Sequence, residues 1–396
     1  MANQVNAPRG MRDFLPQELS LRNQLIAKIS QSYLSRGFQQ IETPVVEDLQ
    51  RLTSGQGGDN EKLVFKIQKR GEEFDKALAS NEELSDLGLR FDLTVPLTRY
   101  YASNHAKLPR VFKAMQIGPV FRAERPQKGR YRQFVQCDID IIGDASVAAE
   151  AELVSASLAA LEEMGLENAT IRVNHRDLLR RNIAALGIGE SDALSAMITI
   201  DKLDKIGVSG VSEELEEKFG AGQKAKAWLE GISELELPAE LADLYTALGA
   251  KASQLRYDPT LVRGMGYYTG VIFEIEHPQS SSSIGGGGRY DGMVGRWLGT
   301  DVPAVGISLG FERIVDLVSQ GSSQEAFKVL IFDQNQLARA IDVQDQAVAQ
   351  GVALRIELRP KNLKVLLEQL GQAGAKEFAV LGNSADFASL SFRQLG

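Results

Sequence analysis

The sequence predicts an α+β protein in which a sheet of antiparallel strands flanked by helices forms the main domain. Two long apolar segments, 113–124 and 132–143, flank the polar loop RPQKGRY, and this arrangement is typical of an antiparallel hairpin. Residues 171–255 carry helical and acidic patterns instead, which indicates a helical insertion. Residues 326–396 alternate strand and helix patterns, so a small α/β domain with a parallel sheet is expected there.

The expected organisation is therefore a main domain over 1–320, interrupted by an insertion over 171–255, and a C-terminal domain over 326–396. A chain of 396 residues is long enough for two or three domains that each bury a core. Hydrophobic residues make up 43% and charged residues 24%, a balance that excludes a disordered chain and a coiled rod.

The composition also excludes several kinds of site. One cysteine, Cys137, cannot form an internal disulfide or a cysteine-rich zinc site, and three histidines hardly suffice for a multi-histidine metal centre. No metal site is predicted, and the single cysteine favours a reducing compartment such as the cytoplasm. The first residues lack the apolar stretch of a secretory signal, and no segment reaches about 18 consecutive apolar residues, so no membrane span is expected.

The first elements follow from periodicity. Apolar residues in 18–36 fall on one half of a helix circumference. The segment FQQIETPVVE predicts a strand kinked at Pro44, because proline lacks the N–H that a central ladder requires. Residues 52–88 predict loops around one short strand, and LRFDLTV predicts a strand that leads into a helix.

The later elements continue this pattern. The apolar spacing of 146–165 predicts a helix that ends at its final glycine. Residues 190–250 hold thirteen acidic and five basic residues on short helical segments. Strand patterns return at YDPTLVRG, GVIFEIE and AVGISLG, with the glycine run GGGGRYDG between the last two. In the C-terminal domain, strands are predicted at 328–333, 353–358 and 377–382, and helices at 336–350 and 362–374.

Basic residues are concentrated around the predicted hairpin. Eight of them and one acid, Glu124, lie between Lys107 and Arg132. Arginine suits phosphate because its planar guanidinium binds two oxygens at once. Arg130 and Arg132 share one sheet face by period two, although a solvated basic face is an alternative interpretation.

Two glycine-bearing segments favour close approach of the backbone to a ligand. In TLVRGMGYYTG, Arg263, Tyr267 and Tyr268 surround a turn; the alternative is a turn with a core tyrosine. The run GGGGRYDG matches neither a phosphate-binding loop nor a dinucleotide fingerprint, because the Lys-Ser/Thr pair and the spacing are missing. Arg313 begins a helix after a strand and a glycine turn, where a surface arginine is the alternative.

Together these segments resemble class II aminoacyl-tRNA synthetases, and specifically the histidyl-tRNA synthetase family, over nearly the whole chain. The resemblance rests on an N-terminal signature, the three class motifs and two histidine-specific signatures, in the order of that family. These are APRGMRDFLP, RGFQQIETPVVE, VFRAERPQKGRYRQFVQCDIDIIG, AVGISLGFERI, RGMGYYTG and GGGGRYDGMV.

The resemblance implies activation of histidine with ATP to histidyl-adenylate, followed by transfer to the 3′ end of tRNA-His. ATP would enter as its Mg²⁺ complex, with no tightly bound cofactor, and Pro44 would lie at a homodimer interface. Catalysis of this kind needs positioning and cations where charge accumulates. By resemblance, Arg122 and Arg263 would flank the α-phosphate as catalytic residues, and ATP would also be bound by Glu124, Arg130 and Arg313.

The histidine pocket implied by the resemblance reads both imidazole nitrogens, since a pocket of hydrogen-bonding groups rejects analogues that leave those groups unpaired. Asp140 would accept from one nitrogen and Tyr268 would face the other. The implied histidine-binding residues are Asp92, Thr94, Arg130, Gln136, Asp140, Arg263, Tyr267, Tyr268 and Tyr290. The implied contacts to the tRNA acceptor end are Gln127, Lys128 and Arg132, and the C-terminal domain would bind the anticodon.

Two departures from the family pattern stand out. Gly266 occupies a position where the family usually has aspartate, and this change is expected to loosen the loop that holds Arg263 and Tyr268. The family generally continues beyond SFRQLG for another strand or helix, so the resemblance covers the active site more fully than the anticodon contacts. Two alternatives to the ligase are a non-catalytic regulatory subunit of ATP phosphoribosyltransferase and a paralogue that passes its adenylate to another acceptor.

The net charge of −8 does not exclude an RNA partner. Thirteen acidic residues lie in 190–250, whereas the strip from Lys107 to Arg132 is strongly basic. A ligand meets the field within about a Debye length of 8–10 Å rather than the sum over the chain. The tRNA is therefore expected to bind along the basic strip.

Overall fold

The computed structural model describes residues 5–54, 62–126, 129–232, 235–263, 266–318, 326–382 and 386–395. The chain forms two compact units, one comprising residues 1–13 and 25–318 and the other residues 14–24 and 319–396. The domain boundaries expected from the sequence, including those of the insertion, stay a prediction.

The described part of the first unit contains strands that build one large and one small sheet. In chain order they are β1 Gln39–Gln40, β2 Val46–Asp48, β3 Lys66–Gln68, β4 Ser85–Leu89, β5 Phe112–Phe121, β6 Gln133–Ile142, β7 Thr170–His175, β8 Leu255–Tyr257, β9 Val271–Glu276, β10 Gly285–Arg289 and β11 Ala304–Gly310.

Eight of these strands form the large sheet, in the order β1-β5-β6-β11-β10-β9-β7-β8, and β2-β4-β3 form the small one. The five inner pairings of the large sheet are antiparallel, whereas the outer pairs β1–β5 and β7–β8 are parallel. The predicted antiparallel sheet is confirmed, including the β5–β6 hairpin, and the parallel pairs make it mixed at both edges.

Helices flank this sheet. The first unit and the segment leading into it contain α1 Pro16–Leu34, α2 Leu49–Leu52, α3 Gly71–Ser80, α4 Thr94–Asn104, α5 Val147–Glu163, α6 Arg176–Ala185, α7 Ala193–Ile200, α8 Leu203–Phe219, α9 Gly222–Glu230, α10 Ala239–Leu248, α11 Asp291–Leu298 and α12 Phe311–Val318. Helix α5 packs against β6 and β11, and its apolar spacing buries Leu153, Val154 and Leu161.

The structure corrects the local predictions at 71–80 and 90–93 and shows which element the glycine run forms. Residues 71–80, expected within a loop region, form α3, which has acidic residues in its first turn and a left-handed Asn81 after its last. Residues 90–93, expected to continue a strand, separate β4 from α4. The glycine run is itself strand β10, because its backbone hydrogen bonds are satisfied on both sides by β9 and β11.

Two of the hydrophobic clusters among the described residues of the first unit concern the predicted site and the acidic segment. One packs Phe91, Leu97 and Phe112 together with Tyr267 and Tyr290, beneath the predicted site. The other joins the short helices α6 to α9. The acidic segment therefore folds around an apolar interior of its own.

The second unit contains the predicted small α/β arrangement. Its elements are β12 Phe327–Phe332, α13 Leu337–Ala349, β13 Leu354–Leu358, α14 Leu363–Gln372, β14 Ala375–Val380 and β15 Arg393–Gln394. Strand order is β13-β12-β14-β15, in which the first two pairings are parallel and the last is antiparallel.

Candidate active site

A cleft with a volume of about 630 Å³ lies on one face of the large sheet. It collects residues from several separate stretches of the chain. The residues predicted from the sequence that line it are Asp92, Thr94, Arg122, Glu124, Arg130, Gln136, Asp140, Arg263, Tyr267, Tyr268, Tyr290 and Arg313.

Strand register explains how distant residues meet. One row of cross-strand partners runs across six strands, from β5 to β7: Gln116, Asp138, Ser308, Gly286, Glu274 and Arg172. The next row on the same face contains Asp140, Gly306 and Gly288. Directly opposite side chains lie about 4.5–5.5 Å apart at Cβ, so each row brings its members into contact range. The register of the strands therefore determines which residues form the floor of the cleft.

Glycines make room on that floor. A Cβ added to Gly306 would overlap the carboxylate of Asp140. A Cβ on Gly286 would lie 2.9 Å from Cζ of Arg263, and one on Gly288 would lie 2.9 Å from a ring carbon of Tyr268. The bare backbone of β10 and β11 thus accommodates these three side chains, which is a close approach that only glycine permits.

Asp140 and Tyr290 form the buried end of the cleft. The Tyr290 hydroxyl donates to Oδ1 of Asp140 across 2.6 Å. Burial raises the pKa of Asp140 to about 7, although the hydrogen bond from Tyr290 opposes this rise. The carboxyl group can therefore exchange its proton near neutral pH and accept from a ligand N–H once ionised.

Asp92 lies at the start of α4, where its Oδ1 accepts from the backbone N–H of Val95 at 3.0 Å. Burial raises the pKa of Asp92 to about 6, while the backbone hydrogen bond to Val95 and the charge of Arg122 oppose the rise. The helix N-terminus thus helps to hold a buried carboxylate at the cleft.

Unpartnered acceptor atoms point to a ligand that donates hydrogen bonds. Among the described residues, Oδ2 of Asp92, Oε1 of Gln136 and Oδ1 of Asp138 are buried without a hydrogen-bond partner. The Gln136 amide is oriented by donation to Oγ of Ser308 at 2.9 Å. Buried polar atoms without partners are costly, so three acceptors in one cleft favour binding of a group such as an ammonium.

The cleft is also lined by cations. Arg122 donates from Nε to the carbonyl of Phe91 at 3.0 Å, and its guanidinium lies 5.0 Å from the centre of the Phe134 ring. Burial lowers the pKa of Arg122, and the charges of Asp92 and Glu124 oppose that effect. These contacts orient a buried cation whose remaining N–H groups face the cleft.

Arg263 and Arg313 add two further cations. Nη1 of Arg263 contacts Oε2 of Glu274 at 2.6 Å, whereas its buried Nε has no partner among the described residues. Arg313 donates to the carbonyl of Ser283. Burial lowers the pKa of Arg313, and the neighbouring charges of Arg130 and Arg263 lower it further. Such a group of cations suits a ligand with several negative charges.

The residues predicted to contact an RNA end are placed differently. Gln127 and Lys128 lie outside the described residues. Arg132 does not line the cleft; its Nε donates to the carbonyl of Glu124 at 3.0 Å and its backbone N–H to the carbonyl of Gly10 at 2.7 Å. Arg132 therefore braces the base of the hairpin loop.

Sequence reasoning missed four residues at or beside the cleft. Asp138 shares a strand face with Asp140, a period-two signal that was available. Glu274 comes next to Arg263 only through the fold. Arg12 lies 3.7 Å above the ring of Tyr131 and pairs with Glu312 at 2.5 Å. No local sequence pattern links Glu274 to Arg263 or Arg12 to Glu312.

Two further features of the described residues concern metal binding and membrane spanning. Among the described residues, no group of three or more His, Cys, Asp or Glu side chains is arranged to hold a metal ion. Within the same residues, no single helix is long and apolar enough to cross a membrane, and one bent pair, Arg176–Ala185 with Glu190–Ile200, meets the criteria only by length and composition.

Comparison with known proteins points in one direction. A family model described as histidyl-tRNA synthetase matches residues 10–314. The histidine–tRNA ligase of Leifsonia xyli subsp. xyli is 49% identical over 430 aligned positions, which cover 100% of this chain and 99% of that protein.

Two solved structures share the fold. The histidyl-tRNA synthetase from Nostoc sp. PCC 7120 is 25% identical with a TM-score of 0.77, covering 99% of this chain and 95% of that one. A protein described as an ATP phosphoribosyltransferase regulatory subunit/histidyl-tRNA synthetase from Bacillus halodurans is 20% identical with a TM-score of 0.78, covering 97% and 100%. At that identity the second likeness concerns the fold alone.

Proposed function

The chain belongs to the histidyl-tRNA synthetase family, and we infer that it is a histidine–tRNA ligase. The carboxylate of histidine attacks the α-phosphate of ATP, which forms histidyl-adenylate and releases pyrophosphate. The terminal adenosine hydroxyl of tRNA-His then attacks the acyl carbon and releases AMP. The observation that carries this proposal is a cleft whose lining combines buried acceptors without partners and several arginines.

The arginines supply the electrostatic part of adenylate formation. Arg122 and Arg263 are the proposed catalytic pair on the two sides of the α-phosphate, because each presents donors to the same cleft. In-line displacement at phosphorus needs positioned cations rather than covalent help from the protein. The free Nε of Arg263 is available for a phosphate oxygen of the transition state.

We assign histidine recognition to the carboxylates and tyrosines of the cleft. Asp140 accepts from an imidazole N–H while Tyr290 holds its other side, and Tyr268 faces the second ring nitrogen. Asp92, Thr94 and Gln136 surround the α-amino and carboxylate groups, with Tyr267, Arg130 and Arg263 completing the pocket. An analogue without both ring nitrogens would leave buried groups unpaired, and this penalty gives the selectivity.

We propose the remaining substrate contacts from the family membership of the chain. Glu124, Arg130 and Arg313 bind the nucleotide and its phosphates, and Mg²⁺ arrives as part of the ATP complex, since phosphate oxygens are hard ligands. Gln127, Lys128 and Arg132 serve the tRNA acceptor end, and residues 326–396 serve the anticodon. We also propose a homodimer with Pro44 at its interface and a cytoplasmic location.

The regulatory-subunit alternative has less support. The likeness to the Bacillus halodurans protein is one of fold, whereas the 49% identity to a ligase extends over the whole chain. The arginines and acceptors of the cleft are also retained together, as a catalytic site requires.

Histidine-dependent ATP–pyrophosphate exchange by the purified chain, followed by charging of a tRNA-His transcript, tests the proposal. Exchange and charging are both expected. Exchange without charging would identify the paralogue that passes its adenylate elsewhere, and a folded, Mg²⁺-supplied protein without exchange would contradict the ligase.

A further inference from the structure

An ion-pair cluster lies beside the cleft, next to Arg263. Its centre is Arg172 on β7, whose side chain is 11% exposed and does not line the cleft. The guanidinium of Arg172 contacts four carboxylates: Asp258 at 2.6 Å, Glu274 at 3.0 Å, Glu276 at 3.2 Å and Asp204 at 3.7 Å. Substrate recognition as proposed above uses none of these contacts.

Glu274 links this cluster to the cleft. Its Oε1 accepts from Nη1 of Arg172 at 3.0 Å, and its Oε2 accepts from Nη1 of Arg263 at 2.6 Å. Arg172 and Glu274 are direct cross-strand partners, and Glu274 is in turn opposite Gly286, over which the Arg263 guanidinium lies. The carboxylate is therefore held from both ends in one orientation.

A second link runs through the backbone. Nη2 of Arg172 contacts Oδ2 of Asp258 at 2.6 Å. The other oxygen of Asp258 accepts from the backbone N–H of Thr260 at 2.9 Å, and its carbonyl accepts from the N–H of Leu261 at 3.1 Å. This turn leads directly into Arg263. Arg172 thus anchors both the side chain of Arg263 and the start of its segment.

The charges of the cluster determine how the Glu274 carboxylate is shared between Arg172 and Arg263. Burial lowers the pKa of Arg172, but the charges of Asp258, Glu274 and Glu276 outweigh that effect and the pKa is raised, so Arg172 stays a cation. While Arg172 occupies one oxygen of Glu274, the carboxylate is shared between two arginines. Without Arg172, Glu274 would pair with Arg263 alone and compete with a phosphate for it.

We propose that Arg172 is a positioning residue for adenylate formation, which acts through Glu274 and Asp258 to hold Arg263 in its reactive orientation. This inference rests on the proposed function, because it presumes that Arg263 contacts the α-phosphate. Arg172 touches no substrate in this arrangement, so its effect passes through Arg263 and falls mainly on the rate of the chemical step.

The test is a double-mutant cycle on the full chain, with histidine-dependent pyrophosphate exchange and single-turnover adenylate formation as readouts. Arg172→Gln is expected to lower kcat by about 10- to 100-fold, since small misplacements of a catalytic group cost that much. The KM for histidine should rise by a smaller factor than kcat falls, because Arg172 reaches the histidine pocket only through Arg263. In an Arg263→Ala background, Arg172→Gln should change the remaining rate by less than about twofold.

Arg256→Gln is the matched control. Arg256 is the cross-strand partner of Arg172 on β8 and pairs with Glu276 at 2.8 Å, but it has no contact with Glu274 or Asp258. Its loss should leave kcat unchanged. If Arg172→Gln unfolds at the assay temperature by circular dichroism, Arg172→Lys replaces it in the cycle, because lysine keeps the charge but cannot bind both carboxylates as a fork.

The outcomes separate the two proposals. An inactive wild-type protein would overturn the proposed function and this inference together. An active wild type with Arg172→Gln at full rate, or with the same loss in the presence and absence of Arg263, would overturn the inference alone. A loss that disappears in the Arg263→Ala background would support it.

Discussion

Tyr290 donates its hydroxyl proton to Oδ1 of Asp140 across 2.6 Å, and both side chains are buried. The two residues are 150 positions apart and meet because β11 places Gly306 opposite Asp140, where a side chain would block the contact. A carboxyl group in this setting is both restrained and poised to titrate. The first three predictions concern this pair.

Tyr290→Phe removes the hydrogen bond that opposes the burial of Asp140. The pKa of Asp140, about 7 in the wild type, should therefore rise further. Since the ionised carboxylate is the proposed acceptor for imidazole, the acidic limb of kcat/KM for histidine should move to higher pH. Pyrophosphate exchange measured from pH 6 to 9 checks this, and an unshifted limb would refute the role of the pair.

Asp140→Asn should change how the stability of the protein depends on pH. The pKa of Asp140 is raised from 3.8 unfolded to about 7 folded, so its contribution favours folding at low pH and is lost as the pH rises from about 4 to about 7. The amide does not titrate, so the variant should lose less stability across that interval than the wild type. Urea unfolding at pH 5 and pH 8 measures the difference.

The same substitution should weaken histidine use, because an amide cannot replace a carboxylate as an acceptor for both partners. The KM for histidine is expected to rise by about tenfold or more, the equivalent of one charge-assisted hydrogen bond. The KM for ATP should change far less. A variant with an unchanged KM for histidine would remove Asp140 from the pocket.

Arg263→Ala should leave the fold intact and abolish most adenylate formation. Loss of a preorganised cation at the transition state costs about 3–4 kcal/mol, which corresponds to a drop of about 100- to 1,000-fold in exchange rate. Arg181→Ala, which removes an exposed arginine paired with Glu240, is the control and should exchange at the wild-type rate. Near-normal exchange by Arg263→Ala would exclude a catalytic role.

Gly306→Ala should destabilise the protein and impair histidine use together, because its Cβ would overlap the Asp140 carboxylate. Overpacking of this kind costs about 1–3 kcal/mol. Gly371→Ala in helix α14 meets nothing within 4 Å and should stabilise the second unit by about 0.5–1 kcal/mol. Thermal unfolding of both variants tests the contrast, and equal effects would argue against a crowded cleft floor.

Local pattern alone was enough to predict much of this protein. The β5–β6 hairpin, helix α5 and the alternating C-terminal elements follow from periods of 2 and 3.6 residues, and the motifs around Arg122, Arg263 and Tyr290 contain side chains that line the cleft. Helix α3 was missed because its ten residues include few large apolar side chains and follow a polar, glycine-rich segment.

Other features depend on register. The sequence by itself determined that Asp138 and Asp140 lie on one face of a strand. Its glycine run determined that the backbone there can approach a neighbouring group closely. Only the tertiary structure decided which residues become neighbours. Strand β10 pairs with β11, Gly306 lies opposite Asp140, and Arg172 lies opposite Glu274. Cross-strand pairing joins residues that no local interaction links, so the contacts of Arg263 emerged from the fold.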